Sequence, residues 1–202
     1  MERTLVFALV IFIACGSSAS AQTSECSSTV PEETVEALWN MAARGELLTP
    51  KGWDRASSFF VQSGPVFDGR VVQVMSDYFG VNRYSIEGST ATVDMEYTDL
   101  GEIDSALRYK PPPETNAYKT SIRYKLVSGP KYLFMYGPDG KTLVDKKEVT
   151  GQTVWRIEAP PHPPWTTVNG AIRYVLEVSQ ATADPAVRKN AEATLAELMK
   201  LH

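Results

Sequence analysis

Hydrophobic positions along the chain change period three times. Leu5 to Ala14 is an unbroken apolar run, and helical spacing follows it. Thr29-Val30-Pro31-Glu32 reads as a helix start, with Thr29 as cap, Pro31 tolerated in the first turn and Glu32 closing a capping box. Val35, Leu38, Trp39 and Ala42 form its apolar stripe, and Gly45 supplies the stop. Thr49-Pro50 predicts a second start, with Trp53, Ala56, Phe59 and Phe60 on one side.

From Gly64 the period becomes two, with β-branched and aromatic residues in the alternating positions. The spacing predicts strands over 70–76, 82–87, 90–98, 118–127, 131–136, 142–149 and 153–158. Glu87-Gly88-Ser89 and Gly137-Pro138-Asp139-Gly140 are tight connections, so neighbouring strands are expected antiparallel. The proline-rich stretch APPHPPW then makes an extended connector that joins neither sheet nor helix. Helical spacing returns with Thr167 as cap and Val168, Ile172, Val175 and Leu176 inward. Asp184-Pro185 starts a last helix, with Val187, Ala191, Leu195 and Leu198 inward.

Alternation sorts the strand residues onto two faces. Met95, Tyr97, Tyr124 and Trp155 fall on one, expected to meet Trp39, Trp53 and Phe59 of the opening helices. Asp94 and Glu96 fall on the other, beside the row carrying Arg123 and Lys125, as on a solvated sheet face. The segment Gly101 to Ala117, with Pro111-Pro112-Pro113, is long for a connection within a compact domain and is the place to look for a binding loop.

The leader changes the picture of where this domain resides. Arg3, the apolar run and Ala19-Ser20-Ala21 together make a secretory signal peptide cut before Gln22, which predicts a periplasmic or extracellular protein. Cys15, directly after the apolar run, offers the alternative of a lipid anchor with the following residues as tether. Neither reading includes a membrane span. The domain reading is therefore signal peptide 1–21, tether 22–28, an α+β domain 29–158, and a connector with a helical extension over 159–202. Cleavage at Ala21 leaves only Cys26, which excludes an internal disulfide.

Composition narrows the chemistry. The chain has 202 residues, 43% hydrophobic and 22% charged, with net charge −4, so an ordinary core is expected and no nucleic-acid footprint exists. With only His162 and His202, and no G-x-S-x-G, G-x-G-x-x-G or phosphate loop, triads and nucleotide cofactors have no signature. Asp99, Glu102 and Asp104 lack the turn glycine and terminal glutamate of a calcium loop, so no metal and no cofactor is expected. Acid–base work by a carboxylate and a tyrosine in an apolar pocket remains open.

The stretches "SIEGSTATVDMEYTDLG", "SIRYKLV" and "WRIE", together with the opening helices, span about Thr29 to Glu158 and resemble the NTF2-like superfamily in its SnoaL-like branch. The resemblance implies N-terminal helices packed in a curved antiparallel sheet, a cone with an apolar cavity, here with extra C-terminal helices. It makes Trp39, Trp53, Phe59, Met95, Tyr97, Tyr124 and Trp155 the pocket-lining residues. The expected function is non-enzymatic: a small apolar ligand in the cavity, or a structural role. The alternatives are an isomerase or hydrolyase using an acid from Asp94 to Asp104 with Tyr97 or Tyr124, and an interaction module, including a homodimer.

Overall fold

The computed structural model describes residues 22–24, 27–61, 71–113, 119–137, 143–159 and 164–201. Helix α1 (Pro31–Ala43) opens the fold after the short strand β1 (Gln22–Ser24). A 3₁₀ turn and the seven-residue α2 (Pro50–Ala56) follow. Four long strands come next: β2 (Val71–Glu87), β3 (Thr90–Asp104), β5 (Lys119–Tyr136) and β6 (Leu143–Ile157), with the two-residue β4 (Tyr109–Lys110) between β3 and β5. Strand β7 (Trp165–Thr167) leads into α3 (Val168–Ala181) and α4 (Pro185–Leu201).

The sheet is seven-stranded, and its central path runs β1-β5-β3-β2-β7. β6 pairs with β5 and β4 with β3. It is mixed, because β7 lies parallel to β2 over Gln73–Met75 while the other pairs are antiparallel.

This overturns the expected cone of antiparallel sheet around N-terminal helices. One 13-residue helix and a short second one precede the sheet, whereas the two longer helices follow it and bury a face of their own. The physical reason lies in the register of β2 and β3. Val74 pairs with Gly101 and Met75 with Asp99, so one step on β2 matches two on β3, with Leu100 as the extra residue. A bulge of this kind flips the alternation. Val72, Val74 and Ile103 therefore face one way, and Met75, Tyr97, Met95 and Val93 the other. A sheet that turns opposite apolar faces at its two ends needs a helical layer on each side.

The seven expected strands merge into four for a related reason. Residues 77 and 78 fall in a second irregularity, where four steps from Met75 to Phe79 match two from Asp99 to Tyr97. Gly129-Pro130 and Gly151 sit inside β5 and β6, the former beside a register shift. The expected breaks are bulges in continuous strands. The residues read as tether also differ: Gln22–Ser24 pairs with Leu133–Met135 of β5.

The first core is aromatic and joins α1 to β2, β3, β5 and β6. The Trp39 ring lies 4.0 Å from Trp165, 5.2 Å from Phe79 and 5.4 Å from Tyr97, centroid to centroid. Its indole N–H donates to the Tyr124 hydroxyl at 3.0 Å, so this buried donor keeps a partner. The second core is aliphatic and sits under α3 and α4, with Val72, Val74, Ile103, Val175, Ala191 and Leu198 fully inside.

Caps follow the sequence in part. The Thr49 hydroxyl accepts from the Gly52 amide at 3.1 Å, and the Asp184 carboxylate from the Ala186 amide at 2.8 Å, as N-caps do. Thr29 does not cap α1. The Ser28 amide donates to the Thr34 hydroxyl at 2.9 Å, and the Ser28 carbonyl accepts from Trp155 N–H at 2.8 Å, which ties the helix start to β6.

Candidate functional site

A cleft of about 290 Å³ opens where the end of α1, the start of α2 and the face of α3 converge. Backbone approach builds its floor. Gly45 ends α1 with φ +72°, and a Cβ there would meet the carbonyl oxygen of Gly170 at 3.3 Å. The chain can turn away from α1 at this point only because neither residue carries a side chain. The last carbonyls of α1 lack intrahelical partners, and the incoming C-terminal segment supplies them. Thr166 Oγ1 donates to Ala42 O and Thr167 Oγ1 to Ala43 O, both at 2.8 Å, and Arg173 donates to Arg44 O at 2.7 Å. Thr167 is thereby engaged with α1 rather than capping α3.

Charge collects around this junction. Arg44, Arg55 and Arg173 line the cleft together with Glu46, Glu177 and Tyr174. Glu46 is shared: one oxygen accepts from Arg44 at 2.6 Å and the other from Arg55 at 3.1 Å. Burial pushes the Tyr174 hydroxyl above its ordinary pKa, so at neutral pH it stays protonated and able to donate. Guanidinium groups hold their charge at any physiological pH and present donors in a fixed fork. The rim sets three guanidinium groups against the carboxylates of Glu46 and Glu177, a net positive balance that suits a carboxylate or phosphate group.

The seven residues expected to line a cavity lie elsewhere. Trp39, Phe59, Met95, Tyr97, Tyr124 and Trp155 are buried in the aromatic core, and Trp53 is half-buried with its ring edge-on to Phe60 at 5.9 Å. They are brought together, packed on one another and on Trp165 and Phe79, and none of them lines the cleft. Burial raises the pKa of Tyr124 against the pull of the Trp39 N–H. It raises that of Tyr97 too, with the charge of Asp99 adding to the effect.

The acids of the 94–104 region are engaged one by one. Asp94 takes a two-pronged contact from Arg123 at 2.7 and 2.8 Å, which holds its carboxyl below the ordinary range. Glu96 pairs with Lys119 at 2.5 Å and Glu102 with Lys110 at 3.2 Å. Asp99 accepts from the Gly101 amide at 2.9 Å and so braces the bulge. Asp104 closes the turn into β4, accepting from the amides of Ala106 and Arg108 at 3.0 Å each. The long segment from Gly101 is thus mostly ordered turn and strand up to Pro113. Among the described residues no three His, Cys, Asp or Glu side chains gather as a metal would require, and no helix is long and apolar enough to cross a membrane. The signal peptide, Cys15, Cys26, His162 and His202 lie outside the described residues.

Sequence reasoning passed over the cleft because its residues come from two distant segments, 44–55 and 170–177, and carry no motif. The available signals were Gly45, read only as a helix stop, and Arg173 with Glu177 on the polar side of α3. Comparison with family models, with curated proteins and with solved structures finds no match to this chain.

Proposed function

We propose that this chain is an exported, non-enzymatic binding protein that holds a small anionic molecule in the cleft between the α1–α2 corner and α3. The observation that carries this reading is the convergence of Arg44, Arg55 and Arg173 with the protonated Tyr174 around one concavity of about 290 Å³, where three guanidinium groups outnumber the carboxylates of Glu46 and Glu177. That volume sits near the small end of ligand sites, where a few placed polar groups fix orientation. Binding rather than turnover is favoured by the chemistry of the groups: arginines do not exchange protons at neutral pH, and the carboxylates from Asp94 to Asp104 are held by cations or by backbone amides. The ligand class follows the cleft and not the aromatic core, whose rings fill the space between α1 and the sheet. Export rests on the leader sequence.

Titrating the purified protein with succinate, citrate and inorganic phosphate, followed by amide NMR, tests the reading. At least one of these should shift the resonances of Gly45, Gly170 and Tyr174 selectively. Arg55→Gln should weaken that binding about tenfold, since a charge-assisted hydrogen bond contributes about 1.5–3 kcal/mol. Shifts confined to other surfaces, or none at millimolar ligand, would remove the proposal.

A further inference from the structure

The two long free margins of the sheet are built differently. Among the named strands β6 pairs with β5 alone, and its exposed run Asp145-Lys146-Lys147-Glu148 places four charges along that margin, a familiar guard against edge-to-edge pairing. β2 meets β7 only at Gln73–Met75, so from Phe79 to Glu87 its outer edge has no strand beside it among the described residues. This second margin carries two charges, Arg83 and Glu87, and exposes apolar side chains between them. Tyr84 is 52% exposed and Ile86 50% exposed, although both lie on the apolar face. Their partners on β3 are Val93 and Ala91, which are buried. Tyr78, 88% exposed, stands just before the same stretch.

The order of residues on this edge is self-complementary. When two copies of β2 run antiparallel with Ser85 opposite Ser85, Arg83 of each falls opposite Glu87 of the other, and Tyr84 opposite Ile86. The same register extends both faces of the sheet. On the polar face, Arg83 pairs with Asp94 and Asp94 with Arg123, so a Glu87 arriving beside Arg83 continues a row of alternating sign. On the apolar face, Ile86 of the second copy extends the row Tyr84–Val93–Tyr124. A slip of one residue on one copy would set Arg83 against Ile86 and break both rows.

We propose that the 83–87 edge of β2 binds a second copy of this chain by twofold antiparallel strand pairing centred on Ser85, giving one continuous sheet across the dimer. The occupant is another copy because the charges and apolar residues of this edge match themselves under a twofold axis, as an isologous contact requires. The contact is narrow compared with a standard interface of about 1,600 Å², so dimerisation is expected at micromolar rather than nanomolar concentration.

Sedimentation velocity on the purified protein, with charge-swapped variants, tests this. Wild type should pass from monomer to dimer over about 1–100 μM. Arg83→Glu and Glu87→Arg should each weaken the dimer at least about tenfold, by placing like charges opposite each other twice per dimer, and the double variant R83E/E87R should restore it. A variant with Ser85→Cys as its sole thiol, made with Cys15→Ser and Cys26→Ser, should form a covalent dimer on mild oxidation while Thr153→Cys on β6 should not. This readout holds even if a charge reversal disturbs folding. A monomer throughout that range, an assembly that grows beyond two copies, a dimer indifferent to the charge swaps, or cross-linking through residue 153 and not 85 would each overturn the proposal.

Discussion

The two sides of the sheet solve the same problem with different materials. Between α1 and the sheet, a few large rings do the sealing, and hydrogen bonds from Trp39 to Tyr124 and between Thr34, Ser28 and Trp155 tie the helix to the strands. Beneath α3 and α4 the buried residues are valines, alanines and leucines, and the ties run from side chains to backbone: Thr194 to Leu107 O at 2.7 Å and Asn190 to Ala106 O at 2.9 Å. A large indole excludes water over a wide area from one position. Small aliphatic residues need two helices in register to do so, and the polar Asn190 and Thr194 anchor α4 to the turn after β3. The aromatic side should therefore depend more heavily on single residues than the aliphatic side.

The sharpest way to break this contrast is to remove one side chain from each core. Trp39→Ala should cost about 4 kcal/mol and Leu198→Ala about 3 kcal/mol, both being fully buried, with the tryptophan change also removing the indole N–H that donates to the Tyr124 hydroxyl. Urea unfolding followed by circular dichroism measures both. A larger loss for Leu198→Ala would reverse the contrast, and two separate transitions in either variant would show that the cores do not unfold together.

How far each core could be read from the chain follows the same division. The aromatic core was largely legible: alternation on β3, β5 and β6 and the stripe on α1 brought Trp39, Met95, Tyr97, Tyr124 and Trp155 to one place. The aliphatic core was not. Val72, Val74 and Ile103 look like continuations of the same alternating faces, and nothing in Asp99-Leu100-Gly101 announces that the pattern inverts there. The inversion is a tertiary choice: a bulge becomes favourable once α3 and α4 offer a second surface to bury against. The terminal helices were visible as amphipathic segments, but the face that received them was hidden by that one extra residue. The cleft was hidden more deeply, since Arg44 and Arg173 meet only after β7 has crossed back to lie along β2.

The bulge can be attacked directly. Gly101 has φ +117°, and a Cβ there would come within 2.2 Å of Lys110 O and 3.1 Å of the Tyr109 ring. Gly101→Ala is expected to cost about 2–3 kcal/mol through backbone strain and displacement of β4. The damage should fall on the aliphatic side first. Hydrogen exchange should speed up in β4 and α4 while the amides of β5 facing Trp39 keep their protection. Uniform loss of protection would mean that the bulge supports both cores equally, and the division drawn between them would fail.

The smallest effect concerns the turn that anchors α4, and it is read as a dependence on pH. Burial pushes the Asp104 carboxyl up, but hydrogen bonds from Arg108 and from the Ala106 amide outweigh it and hold the pKa below the ordinary aspartate value. A carboxyl whose folded pKa is depressed binds fewer protons folded than unfolded in the interval between the two values, so stability rises with pH there. Its contribution is fully present above about pH 4 and is lost as pH falls through the folded pKa. Asp104→Asn keeps the shape and part of the hydrogen bonding while removing the charge. It should lower stability by about 1 kcal/mol at pH 7, and the gap to wild type should close on acidification below pH 4. Asp94, held low by Arg123, gives the same sign but has that one side-chain partner and no backbone amides, so its effect is weaker and Asp94→Asn is the control. Equal losses for the two variants at pH 7 would mean that the amide-bound carboxylate of this turn contributes no more than the Asp94–Arg123 surface pair.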